Sequence, residues 1–287
     1  MQIYLKMKIR LVKFYSRLHE FFHENFKVNI PGLGFLLRKI KNDFIIDFPD
    51  AKLYFNHKIS DNYGRLINAR FNEKETHVFL DKIFKDRNDF TFVDIGANVG
   101  EFMLDYATRK DIISRVFLFE PQKEQIKALK KTITINGFDH CTLVEKAVSN
   151  KIGTINFNIN DNNTTASGIS NSSSASLVVS TTKIDEYFKD ITSSPFVFLI
   201  DAEGAELSII HGGETFIKNN LPLIVFEYNH VTKKHFELAE MASALGPKYS
   251  IYRLKSDGTL DQNFSKTWNL VAVPQNSEFF KIENFNG

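Results

Sequence analysis

Short apolar runs separated by helical patterns recur through the last two thirds of the chain. Each run is rich in valine, isoleucine, leucine or phenylalanine, which is typical of a strand buried on both faces. The runs are Phe92 to Ile95, Val116 to Phe119, Thr142 to Val148, Phe196 to Ile200 and Leu221 to Glu227. This alternation of strand and helix predicts an α/β fold with a parallel sheet and helices on both of its faces.

Two further runs near the C-terminus predict an exception to the parallel pattern. Tyr249 to Leu254 and Trp268 to Pro274 are joined by a glycine-containing connection too short for a crossover helix. They are therefore expected to form an antiparallel hairpin at one edge of the sheet. A helix from Glu73 to about Lys85 leads into the first strand. We divide the chain into an N-terminal extension (1–72), an α/β domain (73–274) and a C-terminal tail (275–287).

Composition excludes several classes of protein. The 287 residues are 43% hydrophobic and 24% charged, which is typical of a globular protein with one substantial core. No apolar run approaches the roughly 20 residues of a membrane span, and no signal peptide is recognisable, so we expect a cytoplasmic protein. The single cysteine, Cys141, excludes an internal disulfide and a thiolate metal cluster. A net charge of +2 is too small to indicate a nucleic-acid partner.

The positive charge is concentrated in the N-terminal extension, which also contains strand-like runs at Phe44 to Phe48 and Lys52 to Phe55. Its first 22 residues predict an amphipathic helix. One face contains Lys6, Arg10, Lys13 and Arg17, and another contains Leu11, Phe14, Tyr15, Leu18 and Phe22. Such a helix can lie on the anionic inner face of a membrane. Alternatively, its apolar face packs on the protein and its basic face is solvated.

A polar segment between Asn160 and Ser176 interrupts the pattern of strands. It consists almost entirely of small and polar residues and cannot form a core. We expect a surface loop that is mobile until the substrate that accepts the transferred group is bound, and that closes part of the pocket for this acceptor.

The segment "FVDIGANVGEF", Phe92 to Phe102, indicates a nucleotide-like ligand. Gly96, Asn98 and Gly100 separate the end of a strand from a helix, which places bare backbone N–H groups at the carboxyl edge of the sheet. The next strand ends at Glu120, 24 residues after Gly96, where a carboxylate can accept hydrogen bonds from both ribose hydroxyls. Together these features predict an adenosine-containing ligand.

Asp94, at the end of the first strand, helps to distinguish between adenosine-containing cofactors. A carboxylate beside the glycine turn would repel a pyrophosphate but attract an ammonium or sulfonium group. The sequence therefore favours S-adenosylmethionine over NAD. Asp94, Gly96, Asn98 and Gly100 are expected to line its methionine end, and Lys146 and Ala147 its adenine.

Five segments of the chain together indicate a known family: "FVDIGANVGEF" (92–102), "FEP" (119–121), "EKAVSN" (145–150), "FLIDAEGAELSIIHGG" (198–213) and "NLVAVP" (269–274). In these segments, in this order, the chain resembles the FkbM-type S-adenosylmethionine-dependent methyltransferases. The resemblance covers roughly residues 73–274, with "LID" at 199–201 where the family usually has Lys-Ile-Asp. It implies a Rossmann-like, seven-stranded methyltransferase sheet whose last strand is antiparallel. It also implies transfer to a hydroxyl of a saccharide, a glycan, a lipid-linked intermediate or a polyketide-type small molecule.

Acidic residues at the ends of the fourth and fifth strands are the candidates for catalysis. Asp201 is expected at the same edge as Asp94 and Glu120, near the cofactor, and Glu203 is expected to take the proton of the acceptor. Glu206 follows in the first turn of a helix, where acids are stabilised by the helix dipole without any catalytic role. His211 and His230 are alternative bases, although such histidines usually lie at a surface or a helix end. A divalent cation could be held by Asp201, Glu227 and Asn229, although their spacing does not define a metal site.

Two other functions remain open from the sequence. A protein that binds the cofactor without turnover would have the same motifs. An N-methyltransferase acting on a nucleobase is expected to have a Pro-Pro-aromatic segment after the fourth strand, where this chain has "DAEG". An NAD-dependent dehydrogenase is disfavoured because of Asp94.

Overall fold

A computed structural model describes residues 2–26, 28, 30–85, 88–158, 168–169, 177–191, 195–265, 267–277 and 280. The first third of the chain contains, in order, α1 (Gln2–Phe26), α2 (Leu33–Leu37), β1 (Phe44–Asp47), β2 (Lys52–Phe55), two 3₁₀ helices (His57–Tyr63 and Arg65–Asn68) and α3 (Lys74–Phe84). The middle contains β3 (Phe90–Ile95), α4 (Glu101–Tyr106), β4 (Ile113–Phe119), α5 (Lys123–Asn136), β5 (Cys141–Val144), β6 (Ala147–Val148), β7 (Gly153–Asn158), β8 (Gly168–Ile169) and β9 (Leu177–Thr182). The last third contains α6 (Ile184–Tyr187), β10 (Phe196–Ile200), α7 (Glu206–His211), α8 (Glu214–Asn220), β11 (Leu223–Glu227), a 3₁₀ helix (Thr232–Lys234), α9 (Leu238–Leu245), β12 (Tyr249–Leu254), β13 (Leu260–Asp261) and β14 (Asn269–Pro274).

The central sheet has the strand order β13-β12-β14-β11-β10-β3-β4-β5. Five neighbouring strands are parallel to one another, namely β11, β10, β3, β4 and β5. Strand β14 is antiparallel to both β11 and β12. The predicted α/β fold, with an antiparallel last strand, is confirmed. Two details of the prediction were wrong. The described sheet has eight strands rather than seven, because β13 pairs with β12. The hairpin of β12 and β14 does not form the edge of the sheet, because β14 lies inside it and β13 is the edge strand.

Strand β3 is the middle one of the five parallel strands and is buried along its whole length. Phe90 and Phe92 point into an apolar layer that includes α3 and α4, whereas Val93 and Ile95 point into the opposite layer, which includes α7 to α9. This alternation explains why the run contains no polar positions for solvent, as is typical of a parallel strand covered on both faces. The two layers hold the carboxyl end of β3 rigidly.

A second, smaller sheet, with the strand order β6-β9-β7-β8, was not predicted. The run Thr142 to Val148 was expected to be one strand, but a turn at Lys146, whose N–H donates to the carbonyl of Val144, divides it between the two sheets. Apart from Gly168–Ile169, the expected mobile loop from Asn160 to Ser176 lies outside the described residues.

The N-terminal extension packs against α5 of the α/β domain. The apolar layer that contains Phe92 continues into the extension through Leu53 and Phe55. The N–H of Tyr54 donates to Thr132 Oγ1 at 3.1 Å, which attaches β2 to α5. The strands expected near Phe44 and Lys52 are confirmed as β1 and β2. Of the helices in the described ranges, none has the length and apolar character needed to cross a membrane.

Candidate active site

The chain adds its parallel strands first on one side of β3 and then on the other. The chain runs from β3 outward through β4 to β5, and later returns to build β10 and β11 on the other side. In open α/β sheets, ligands bind at such a switch point, in the crevice at the carboxyl ends of the strands. The glycine turn after β3 and the "DAEG" loop after β10 face each other across this crevice.

Gly96 is the position where the two loops are closest. Its φ of 92° lies in the left-handed region, and a Cβ at this position would lie 1.9 Å from the carbonyl oxygen of Asp201. Asn98 and Gly100 also have positive φ angles. Only glycine permits both the backbone angle and the close approach at position 96. The turn is therefore shaped by contact with the opposite loop.

Asp94 ends β3 with its side chain buried. Burial, together with the negative charges of Glu73, Glu120 and Glu101, raises the pKa of Asp94 well above its usual value. Its Oδ2 is buried, and none of the described residues provides a hydrogen-bond partner for it. A buried carboxylate oxygen without a partner is costly, so this atom faces a position suited to a donor or a cation.

Glu120, the predicted ribose ligand, lies buried at the end of β4. One carboxylate oxygen accepts the N–H of Asn98 at 2.9 Å, and the other accepts the N–H of Gln122, also at 2.9 Å. Burial raises the pKa of Glu120 to about 7, although both hydrogen bonds oppose this shift. Glu120 thus connects the glycine turn to the next strand. Nearby, Lys146 is exposed and Ala147 is buried in β6.

The loop after β10 places its three acids in different environments. Burial and the charges of Glu227, Glu73, Glu203 and Glu206 raise the pKa of Asp201 well above its usual value. Glu206 is fully buried, and its Oε1 accepts the N–H groups of Ala202 and Gly204 at 3.0 and 3.2 Å. Glu206 therefore positions the loop, rather than merely facing the helix dipole as the sequence suggested.

Glu203 is half-buried, as Asp201 is, whereas Glu206 is fully buried. Its backbone has a φ of 50°, in the left-handed region that a residue with a Cβ seldom occupies. Burial and the charge of Glu206 raise the pKa of Glu203 to about 7. A carboxyl group with this pKa can exchange a proton near neutral pH.

The end of β11 does not provide the cation site that the sequence left open. Asn229 uses its Oδ1 to accept the N–H groups of Val231 and Thr232, and its Nδ2 donates to Glu227. Within the described ranges, no group of three or more His, Cys, Asp or Glu side chains could hold a metal ion. The divalent cation is therefore not supported. Glu227 has a pKa raised to about 8 by burial and by the charges of Glu203, Glu206 and Glu73.

The two candidate histidines are placed outside this group of acids. His230 is exposed after β11, and His211 is exposed at the end of α7, where its Nδ1 lies 2.7 Å from Glu214. Neither lines the cleft at the switch point, which is lined instead by residues of both loops and of the extension.

This acidic cleft has a volume of about 710 Å³. Its lining includes eight acids: Asp61, Glu73, Glu75, Asp94, Glu101, Asp201, Glu203 and Glu227. The basic residue in the lining is Arg65. Such an excess of negative charge favours a cationic ligand.

Sequence reasoning missed the residues that the N-terminal extension and α3 contribute to the cleft. Glu101 Oε1 accepts the N–H groups of Asn72 and Glu73, at 2.6 and 3.0 Å, which ties α4 to the segment before α3. Asn62 donates to the side chain of Asn98 in the glycine turn. Burial and the charge of Glu101 raise the pKa of Glu73 to about 7. The position of Glu73 at the start of a predicted helix was the one feature of the sequence that could have indicated its role.

A second cleft, of about 400 Å³, adjoins the acidic cleft at Glu203. Glu203 lines both. Eight of the twelve residues that line the second cleft are polar or charged: Glu203 itself and Ser149, Asn150, Lys151, Thr154, Thr181, Ser208 and His235. The hydroxyl groups of Ser149 and Ser208 are 3.3 Å apart. Hydroxyl, amide and amine groups in this arrangement are suited to a polar, hydrogen-bonding molecule.

The fold and the glycine turn at its switch point define a Rossmann-like methyltransferase. The family model described as "Methyltransferase FkbM domain" matches residues 94–252, which is more than half of the chain. The chain therefore belongs to the FkbM methyltransferase family, as the sequence motifs predicted.

Solved structures provide the second comparison. The chain is similar to the methyltransferase FkbM from Methylobacillus flagellatus KT, with 16% identity and a TM-score of 0.50, over 75% of this chain and 54% of that one. It thus spans about half the length of that relative. An rRNA methylase from Streptococcus thermophilus is similar at 12% identity, over 72% of this chain and 100% of that one, with a TM-score of 0.40. M. jannaschii TYW2 in complex with AdoMet is similar at 10% identity, over 80% and 84%, with a TM-score of 0.41. No curated protein sequence matched the chain.

Proposed function

We propose that this protein is an S-adenosylmethionine-dependent O-methyltransferase that acts on a hydroxyl of a saccharide or of a glycan-linked or lipid-linked intermediate. The observation that supports the cofactor most strongly is the excess of acids around a glycine turn at the switch point. The buried Oδ2 of Asp94 and Oε2 of Glu227 have no hydrogen-bond partner among the described residues. A ligand with an ammonium and a sulfonium group fits these acids, whereas a pyrophosphate does not.

When bound, S-adenosylmethionine supplies an activated methyl group and its own leaving group. Asp94 and Asp201 would hold the positive charges, and Glu120 would face the ribose. Glu203 lines both clefts, so it can accept the proton of a hydroxyl that approaches from the polar cleft. The Glu203 carboxylate would take the proton that the acceptor hydroxyl gives up when it is methylated.

The polar lining of the second cleft is the feature that favours a saccharide-like acceptor. Its serine, threonine, asparagine, lysine and histidine side chains can hydrogen-bond several hydroxyl groups at once. The experiment for the activity is to measure S-adenosylhomocysteine formation with a panel of sugar nucleotides, glycans and lipid-linked saccharides. Cofactor binding without product formed from any acceptor would favour a binding protein without turnover.

Replacing Glu120 by alanine is expected to weaken S-adenosylmethionine binding at least about tenfold, because a buried charge-assisted hydrogen-bond acceptor is lost. The change also leaves two backbone N–H groups without their acceptor. Isothermal titration calorimetry measures the affinity, and thermal unfolding measures the accompanying loss of stability.

Asp185→Ala is the matched control for Glu120→Ala. Asp185, in α6, likewise accepts two backbone N–H groups, but they are those of Thr215 and Phe216 at the start of α8 and not of the glycine turn. Its loss should lower stability without changing affinity. If Glu120→Ala binds the cofactor as tightly as the wild type does, Glu120 serves only to hold the glycine turn.

Cofactor binding is expected to release protons near pH 7. The pKa values of Glu73, Glu120 and Glu203 are raised to about 7, and that of Glu227 to about 8, so part of this group is protonated at neutral pH. A bound cation favours the ionised forms and lowers these pKa values. Affinity should therefore rise between about pH 6 and 8. Calorimetry in buffers with different ionisation enthalpies measures the released protons.

The same groups predict how the stability of the ligand-free protein depends on pH. A carboxyl group whose pKa is raised on folding keeps its proton longer in the folded state than in the unfolded state, so stability falls as pH rises through the folded value. The pKa of His77, raised to about 9 by its bonds to Asp105 and Glu101 against the effect of burial, acts in the same direction. Melting temperatures should thus fall between about pH 5 and 9, and bound cofactor should reduce this fall. A flat profile would contradict the assignment.

A further inference from the structure

Helix α1 is attached to the rest of the protein through one of its sides. Val12, Ser16 and Glu20 are buried, and Glu20 Oε2 lies 2.7 Å from Nη1 of Arg70. The carbonyl of Lys13 accepts a hydrogen bond from Asn68 Nδ2 at 3.2 Å. Residues 12, 16 and 20 are spaced four apart, so they define one side of the helix.

The outward side of α1 presents large apolar side chains to solvent. Met7 is 62% exposed, Leu11 57%, Phe14 65% and Phe21 53%. Their spacing of four, three and seven residues places them along one stripe. Packing of the predicted apolar face on the protein would have covered Leu11 and Phe14, and it does not. A stripe of this size on the outside of a helix marks an interaction surface.

A row of basic residues runs beside the apolar stripe. Lys6, Arg10 and Arg17 are exposed, and Lys13 is half-buried. Within the described part of the chain, none of these four takes part in a salt bridge. The sequence has no acid between residues 2 and 19. The outward surface of the first five turns is thus apolar along one line and positively charged along the next.

We propose that α1 binds the protein to an anionic bilayer surface. The apolar stripe would enter the boundary between headgroups and acyl chains, and the basic row would contact the acidic headgroups. Both features are needed, because an apolar stripe of this width gives weak binding and basic side chains add attraction to an anionic surface. The charge complementarity favours a bilayer over a second copy of α1, which would bring two basic rows together.

Sedimentation with vesicles of equimolar phosphatidylcholine and phosphatidylglycerol tests this surface. The full chain should bind these vesicles more strongly than pure phosphatidylcholine, and binding should weaken as salt is raised. Changing Lys6, Arg10, Lys13 and Arg17 together to Gln should reduce the partition coefficient at least about tenfold. The control removes the same charge elsewhere, through Lys123→Gln, Lys131→Gln, Lys218→Gln and Lys234→Gln, and it should bind as the wild type does. Equal binding by both variants overturns the proposal.

A second variant tests the apolar stripe. Met7, Leu11, Phe14 and Phe21 are changed together to Gln, which should be tolerated because all four are exposed, and a thermal melt verifies folding. Vesicle binding should again fall at least about tenfold. Light scattering of the wild type identifies the alternative partner, a second copy. A dimer that this variant dissociates, without vesicle binding by the wild type, would overturn the proposal.

Discussion

Gly96→Ala is expected to weaken S-adenosylmethionine binding on the order of 10²-fold or more, the size of effect that a displacement of about 1 Å has on catalytic rates at such a site. The new Cβ would lie 1.9 Å from the carbonyl oxygen of Asp201 and 2.9 Å from its carbonyl carbon. Both contacts are with backbone, which cannot rotate away as a side chain can. The glycine turn and the "DAEG" loop must therefore separate, and the acids at their ends move apart.

Gly137→Ala provides the matched control for this substitution. Gly137 follows α5 and also has a left-handed backbone, with a φ of 63°, but a Cβ there would meet nothing within 4 Å. Its replacement should cost roughly 1 to 2 kcal/mol of stability through backbone strain alone and leave cofactor affinity unchanged. Calorimetry and thermal unfolding of both variants separate strain from the clash. If Gly96→Ala binds the cofactor normally, the crevice between β3 and β10 is not the cofactor site.

The parts of the fold that the sequence predicts are those encoded locally. Mostly apolar runs such as Phe92 to Ile95 identify strands because a parallel strand covered on both faces has no solvent-facing positions. The ends of those strands place Asp94, Glu120 and Asp201 at one edge, since parallel strands all end there. The short strand β13 was missed because two residues give no periodicity to recognise.

Contacts between distant segments account for the rest. Glu101 looks like an ordinary acid in the first turn of α4, yet it binds the backbone of Asn72 and Glu73, about 28 residues earlier. Nothing in the local pattern indicates that the extension would line the acidic cleft. The sequence also does not show which side of α1 packs on the protein, because both of its sides contain apolar residues. Burial of Val12 rather than Leu11 is decided by the segment that it packs against.

Glu203→Gln is expected to lower methyl transfer at least tenfold, about 1.4 kcal/mol of barrier, while the protein folds and binds S-adenosylmethionine normally. Glutamine keeps the size and reach of the side chain but cannot take a proton, and a positioned base is worth roughly 10² to 10⁴ in rate. Glu203 lines both the acidic and the polar cleft, whereas Glu206 is fully buried and occupied with the backbone of the loop. Single-turnover rates measured at saturating cofactor report the chemical step.

The pH profile distinguishes a base from a residue that merely maintains the charge of the cleft. Glu203 must lose its proton before it can accept another, and bound cofactor lowers its pKa from the value of about 7 in the ligand-free protein. The wild-type rate at saturating cofactor should therefore fall on the acid side of pH 7. The Gln variant should lack this fall at its lower rate. Glu75→Gln, which removes an acid from the same cleft, is the control and should retain both rate and profile. Near-normal turnover by Glu203→Gln would move the base to Glu227, which lines the cleft, in preference to the exposed His230.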